Sequence, residues 1–111
     1  MTEEQQLIFP AGTIIWAVVK DESGQNPKSR PLLVLRVGPP GQVECVCITT
    51  DIQAVPNERM VQIPHDSVGL PKACVAHTGW IRFVDIDSIE QKMPRLIPRA
   101  SFESIIRKAK R

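Results

Sequence analysis

Ser29-Arg30-Pro31-Leu32-Leu33-Val34-Leu35-Arg36-Val37 is a run of branched apolar side chains headed by an arginine and interrupted only by Arg36. Its five apolar residues predict a strand covered on both faces, and therefore the middle of a sheet. Pro31 suits the first position of such a strand, where it removes no needed ladder hydrogen bond and biases Arg30 toward an extended backbone. The guanidinium then leaves the core at a fixed angle. Its planar donors stay charged at any working pH and match phosphate oxygens two at a time, which lysine cannot do. A strand-edge ion pair is the competing reading of Arg30.

Working outward, Thr13-Ile14-Ile15-Trp16-Ala17-Val18-Val19 is almost wholly β-branched, aromatic or small apolar, and predicts a strand that stops at Lys20-Asp21-Glu22. Trp16 reads as a core residue, with stacking on a nucleobase as the sharper alternative. Between the two strands, Lys20 to Ser29 holds Ser23-Gly24 and Asn26-Pro27 without apolar periodicity, a long connection in which Gln25 and Lys28 place donors near Arg30. Beyond the central strand, Gly38-Pro39-Pro40-Gly41 is a turn and Gln42 to Thr50 a third strand with antiparallel neighbours. A short strand follows at Arg59 to Pro64, with His65 in a turn. Ala73 to Thr78 is another strand, which Gly79 to Ile86 continues after a bulge at Gly79. Ser101 to Arg111 repeats Phe102, Ile105, Ile106 and Ala109 at helical spacing, with Ser101 as the cap and basic residues suited to the helix C-terminus. The expected class is mainly β with a C-terminal helix, built as a small barrel or sandwich.

The 111 residues form a single domain, 1–111, large enough to bury a core without disulfides or metal. Ten prolines and six glycines punctuate the chain often, which favours short strands. A net charge of +2 permits a nucleic-acid partner without requiring one. No apolar stretch approaches the roughly 20 residues that span a bilayer, so membrane insertion is not expected. Three cysteines, an odd number, behind a polar start point to a reducing cytoplasm. Cys45 and Cys47 share one strand face. Zinc would need further ligands from Cys74, His65 and His77 at no recognisable spacing, so packing is the expected role and no metal site or cofactor is assigned.

In order, Gly12-Thr13-Ile14-Ile15-Trp16, Lys28-Ser29-Arg30-Pro31-Leu32-Leu33-Val34-Leu35, Ile48-Thr49-Thr50, Gly69-Leu70-Pro71-Lys72 and Ile81-Arg82-x-Val84-Asp85 resemble the MazF/PemK (Kid) toxins over nearly the whole chain. The resemblance implies an SH3-like barrel that dimerises and cleaves single-stranded RNA without metal. It also implies a small cognate antitoxin whose disordered tail occupies the RNA groove. In that family the arginine before proline meets the scissile phosphate, which Arg30 matches; Thr49 matches the phosphate-binding threonine and Thr50 the small polar position beside it. A ribose 2′-hydroxyl attacks the adjacent phosphate while an arginine and a hydroxyl stabilise the developing charge.

The departures from the family pattern bear on catalysis. Ser23-Gly24-Gln25-Asn26 stands where members commonly carry Gly-x-Glu-Gln, and Gly79 where they often have an acidic residue. His77 occupies the place of a catalytic arginine in Kid-like members. The expected catalytic set is Arg30, Thr49 and His77, with Gln25, Lys28, Thr50 and Arg82 binding RNA. The alternative is a barrel with attenuated catalysis that binds RNA or a protein partner without cleavage. A homodimer is expected through the Gly69-to-Ile86 region, with Val61, Ile63, Val75, Trp80, Ile81 and Phe83 as its apolar surface.

Overall fold

Side chains alternate along β2 (Lys28–Val37) so that Leu32 and Val34 enter one core and Leu33 and Leu35 another, all four buried. The same alternation runs through β3 (Gln42–Thr49), where Cys45 and Cys47 join the first pair and Val46 and Ile48 the second. A strand buried on both faces has no room for polar alternation, which is why this region is a continuous apolar run. The computed structural model describes residues 9–21 and 23–109; the polar lead Thr2 to Gln6 and the basic Lys110 and Arg111 lie outside them.

The remaining elements are β1 (Thr13–Val19), β4 (Met60–Ile63), the one-turn helix α1 (His65–Val68), β5 (Cys74–Asp85), β6 (Ile89–Leu96) and the C-terminal helix α2 (Arg99–Ala109). The strands form one six-stranded sheet in the order β4-β5-β3-β2-β1-β6, antiparallel at every pairing. One core lies between the sheet and the two helices, with Val68 of α1 and Ile105 of α2 closing it and Phe102 and Ile106 packed against it. The other holds Phe9, Ile15, Ala17, Trp80 and Val84 with the inward residues of β2 and β3, and draws on strands and connections alone. The sheet therefore curls around the second core, in the manner of an SH3-like barrel. Among the described residues no helix is long and apolar enough to cross a membrane.

Several expectations shift. Pro31 is the fourth residue of β2 rather than its first, and pairs with Trp16 of β1; on the β3 side, however, the ladder begins only at Leu32, opposite Cys47. His65 opens α1 instead of sitting in a turn. Strand β6 was not expected, because Ile89-Glu90-Gln91-Lys92-Met93-Pro94-Arg95-Leu96 is largely polar and contains a proline. Among the described residues it pairs only with β1, and an edge strand tolerates both features. Helix α2 begins at Arg99, with the Phe102 N–H donating to the Pro98 carbonyl at 3.0 Å, so Ser101 lies in the first turn and does not cap it. The bulge falls where Gly79 predicts it. Consecutive Val46 and Cys47 of β3 face Ile81 and His77 of β5, so Thr78, Gly79 and Trp80 loop out of register.

The apolar surface expected for dimerisation is mostly internal. Val61, Ile63, Val75 and Trp80 are buried in this chain's own cores and Ile81 is half-buried; only Phe83, 54% exposed, faces solvent. A run of apolar residues cannot itself tell which face a curled sheet turns inward.

Candidate nucleic-acid interface

The register of β2 on β3 pairs Leu32 with Cys47 and Leu33 with Val46; carried two residues further it sets Arg30 opposite Thr49, at the point where the strands part. Pro31 stands at this fork and has no N–H to offer either neighbour. Hollows open on both faces of the sheet around the parted ends. One, of about 280 Å³, lies over the helix-side core and includes Trp16, Ile48, Leu70, Pro71 and Lys72. The other, of about 420 Å³, lies over the curled core and includes Asp21, Asp51, His77 and Trp80. Lys28, Arg30, Thr49 and Thr50 line both, so four residues singled out in the sequence form the ridge between them.

Arg30 is half-buried and held. Its Nε donates to the Val19 carbonyl at 3.2 Å and Nη2 to the Asn26 carbonyl at 3.1 Å, while its Cζ lies 5.1 Å from the centroid of the Trp80 ring. Among the described residues these two bonds engage two of the five guanidinium N–H donors and leave the rest for the groove. Thr49 Oγ1 accepts the Asp51 N–H at 3.0 Å, so its own hydroxyl proton is directed elsewhere.

His77 lines the second hollow and is 5% exposed. Its Nδ1 accepts the Gly79 N–H at 3.2 Å, the arrangement of an imidazole whose proton is on Nε2. Gly79 is small for a local reason: a Cβ there would come within 3.1 Å of His77 Cε1. A larger residue at position 79 would crowd the His77 ring, which would have to give by a few tenths of an ångström.

Two nominated residues are not in the groove. Gln25 lines neither hollow, and the hydrogen bonds it makes there use its backbone: its N–H donates to Asp21 Oδ1 and its carbonyl accepts from the Asp21 N–H. Arg82 also lies outside both. Its Nη2 donates to the Asp21 carbonyl and its Nη1 to the Ile81 carbonyl, each at 2.9 Å. Asp21, which the sequence did not single out, knots the β1–β2 loop: its carboxylate accepts from the Ser23 N–H and hydroxyl, the Gln25 N–H and Asn26 Nδ2. Those bonds, led by the Ser23 hydroxyl, hold its carboxyl well below the usual range, so it is ionised at any working pH. Asp and Ser followed by Gly and Asn at turn spacing is the signal that marks this knot.

Trp16 is only half-buried, with one side on the helix-side core, as its core reading expects, and the other lining the first hollow. Cys45 and Cys47 pack in the curled core and Cys74 on the floor of the first hollow, with no disulfide among the three. Burial pushes the Cys74 thiol up to about 11 and raises that of Cys45 further, so neither is a ready nucleophile.

No protein-family model matches the chain, and no curated protein matches it by sequence. Its structure does have counterparts. MazF from Deinococcus radiodurans superposes with a TM-score of 0.69 at 21% identity, covering 89% of this chain and 90% of that one. A chain of the MazE-MazF structure from the same organism gives 0.68 at 20% identity over 89% and 90%. The Mycobacterium tuberculosis toxin MazF-mt6 gives 0.61 at 19% identity over 86% and 91%. One antiparallel sheet curled on its own core, closed by a C-terminal helix, is therefore the MazF fold.

Proposed function

We propose that this protein is a MazF-like toxin that cleaves single-stranded RNA, with the scissile phosphate on the ridge formed by Arg30 and Thr49. The observation that carries the reading is that ridge: a tethered arginine and a threonine hydroxyl facing each other across the parted ends of two strands, with Lys28 and Thr50 beside them. The free N–H donors of Arg30 and the hydroxyl of Thr49 point charge and hydrogen bonds at phosphate oxygens, where negative charge builds as the reaction proceeds. The ribose 2′-oxygen forms a bond to phosphorus and loses its proton to solvent. The bond from phosphorus to the 5′-oxygen breaks and that oxygen takes up a proton from solvent, leaving a 2′,3′-cyclic phosphate and a 5′-hydroxyl. His77, whose Nδ1 accepts the Gly79 N–H, lines the second hollow beside the ridge and is the third catalytic group of this reading. Trp16 offers a flat apolar face for a base beside the ridge.

Two partners follow from the same reading: a small MazE-like antitoxin that occupies the groove, and a second copy of this chain. The exposed Phe83, and not the buried Trp80, is the apolar candidate for the copy-to-copy contact. The reading places the protein in the reducing cytoplasm, in keeping with three cysteines that form no disulfide among themselves.

The test is incubation of purified wild type and Arg30→Ala with single-stranded RNA of mixed sequence in excess chelator, followed by end-mapping. Wild type should cut, and Arg30→Ala should cut slower by on the order of 10³-fold or more with the fold intact. Equal cleavage by the two overturns the assignment of Arg30. The second reading, a barrel that binds RNA without cutting it, is favoured by the missing loop glutamate and by Arg82 being tied to backbone carbonyls. Binding by wild type without any cleavage would select it.

A further inference from the structure

We infer that Trp80 and Arg82 are positioning residues that fix the orientation of Arg30, an inference that rests on the ridge reading above. The bulge in β5 is what brings them there. By looping Thr78, Gly79 and Trp80 out of register, it turns the indole into the curled core at 6% exposure, beneath the mouth where Arg30 emerges. Arg82, two residues on, places its Cζ 6.0 Å from the centroid of the same ring and reaches across to the Asp21 carbonyl.

From Asp21 the hold continues to Arg30. The Asp21 carboxylate takes Asn26 Nδ2 at 2.8 Å, and the Asn26 carbonyl accepts Arg30 Nη2 at 3.1 Å. Asn26 stands at φ 53, a left-handed conformation that the carboxylate knot helps to hold. Strand β5 thus holds Arg30 by two routes, directly through the Trp80 ring and indirectly through Arg82 and the β1–β2 loop. Trp80 Nε1 is buried and has no hydrogen-bond partner among the described residues. Phenylalanine would bury no such N–H, but indole is the larger ring and the one that attracts a guanidinium most strongly. The arrangement gives this tryptophan a role as a cation platform in addition to packing. It also reassigns Arg82, whose Nη donors are on backbone carbonyls, from RNA contact to support.

The experiment reads Arg30 with and without RNA. In nitrogen-15-labelled protein, the Arg30 Nε–H resonance is assigned by its loss in Arg30→Ala and followed in Trp80→Phe, Trp80→Leu, Arg82→Lys and Arg82→Gln, with thermal melts confirming folding. Arg82 is only half-buried, so its variants keep the argument testable where Trp80→Leu fails to fold. The expected result is a resonance that moves and broadens in Trp80→Leu and Arg82→Gln and is largely restored in Trp80→Phe and Arg82→Lys. In parallel, kcat on single-stranded RNA should fall by roughly 10- to 100-fold in the first two, with KM changed little. An Arg30 resonance unaltered in Arg82→Gln overturns the inference, whether or not RNA is cut. So does an Arg82→Gln loss of RNA affinity that is equally large in the Arg30→Ala background, because Arg82 would then touch RNA itself. A wild type that never cuts RNA defeats the functional reading, while the resonance still decides whether Trp80 and Arg82 hold Arg30.

Discussion

Among the described residues the first hollow gathers the cations Lys28, Arg30 and Lys72 with the apolar faces of Trp16, Leu70 and Pro71 and has no carboxylate, whereas the second sets Asp21, Asp51 and His77 around the same arginine. The difference follows from which core each hollow overlies. Residues facing the helix-side core leave a smooth apolar floor beside exposed lysines, a surface suited to stacking and to non-directional charge. The β5 bulge and the knotted β1–β2 loop instead bring hydrogen-bonding groups of fixed orientation to the other side. On the proposed reading one ridge serves two tasks: the first hollow would hold RNA, and the second would shape the reaction at the phosphate.

Substitutions on the two sides should therefore separate kcat from KM. Away from the ridge itself, the largest effect is expected at His77. His77→Leu should lower kcat by about 10²- to 10³-fold, the usual consequence of losing one donor to developing charge, with KM within a few-fold of wild type. His77→Gln, which retains a donor but not a titrating ring, should recover much of that loss. Failure of glutamine to recover any of it, in protein that melts like wild type, would make His77 a proton-transfer group. A smaller effect belongs to Trp16, where Trp16→Ala should raise KM by roughly tenfold or more, corresponding to about 1–3 kcal/mol of lost stacking, and leave kcat nearly unchanged. A fall in kcat alone would break the division of labour. The smallest is Lys72→Ala, expected to weaken RNA binding a few-fold at low salt and to reduce the salt dependence of binding by about one phosphate's worth of released counterion. An unaltered slope would remove Lys72 from the groove.

The centre of the sheet was legible because residues Leu32 to Leu35 leave no polar alternation, and burial on both faces is the simplest reason. The ridge residues Arg30, Thr49, Lys28 and Thr50 were legible from short motifs in a familiar order, and the structure brings all four together. Strand β6 was not, since an edge strand with one solvated side carries little periodic signal. Trp80, expected on an apolar surface, lies in the core for a different reason. The sequence locates a bulge at Gly79, but the number of residues it displaces depends on the β3–β5 register, and that register decides which side chains turn inward. Gln25 lies outside both hollows, in a loop whose backbone the carboxylate of Asp21 takes up, a local competition that no long-range pattern reveals.

The central claim, that the Arg30–Thr49 ridge directs attack by a ribose 2′-hydroxyl, is tested most directly with two RNA oligonucleotides identical except for a single 2′-deoxyribose immediately 5′ of a mapped cut. The account predicts that wild-type protein cuts the all-ribose strand there, leaving a 2′,3′-cyclic phosphate and a 5′-hydroxyl, and leaves the substituted linkage intact while still binding it. Cleavage of the substituted linkage at an undiminished rate would contradict it.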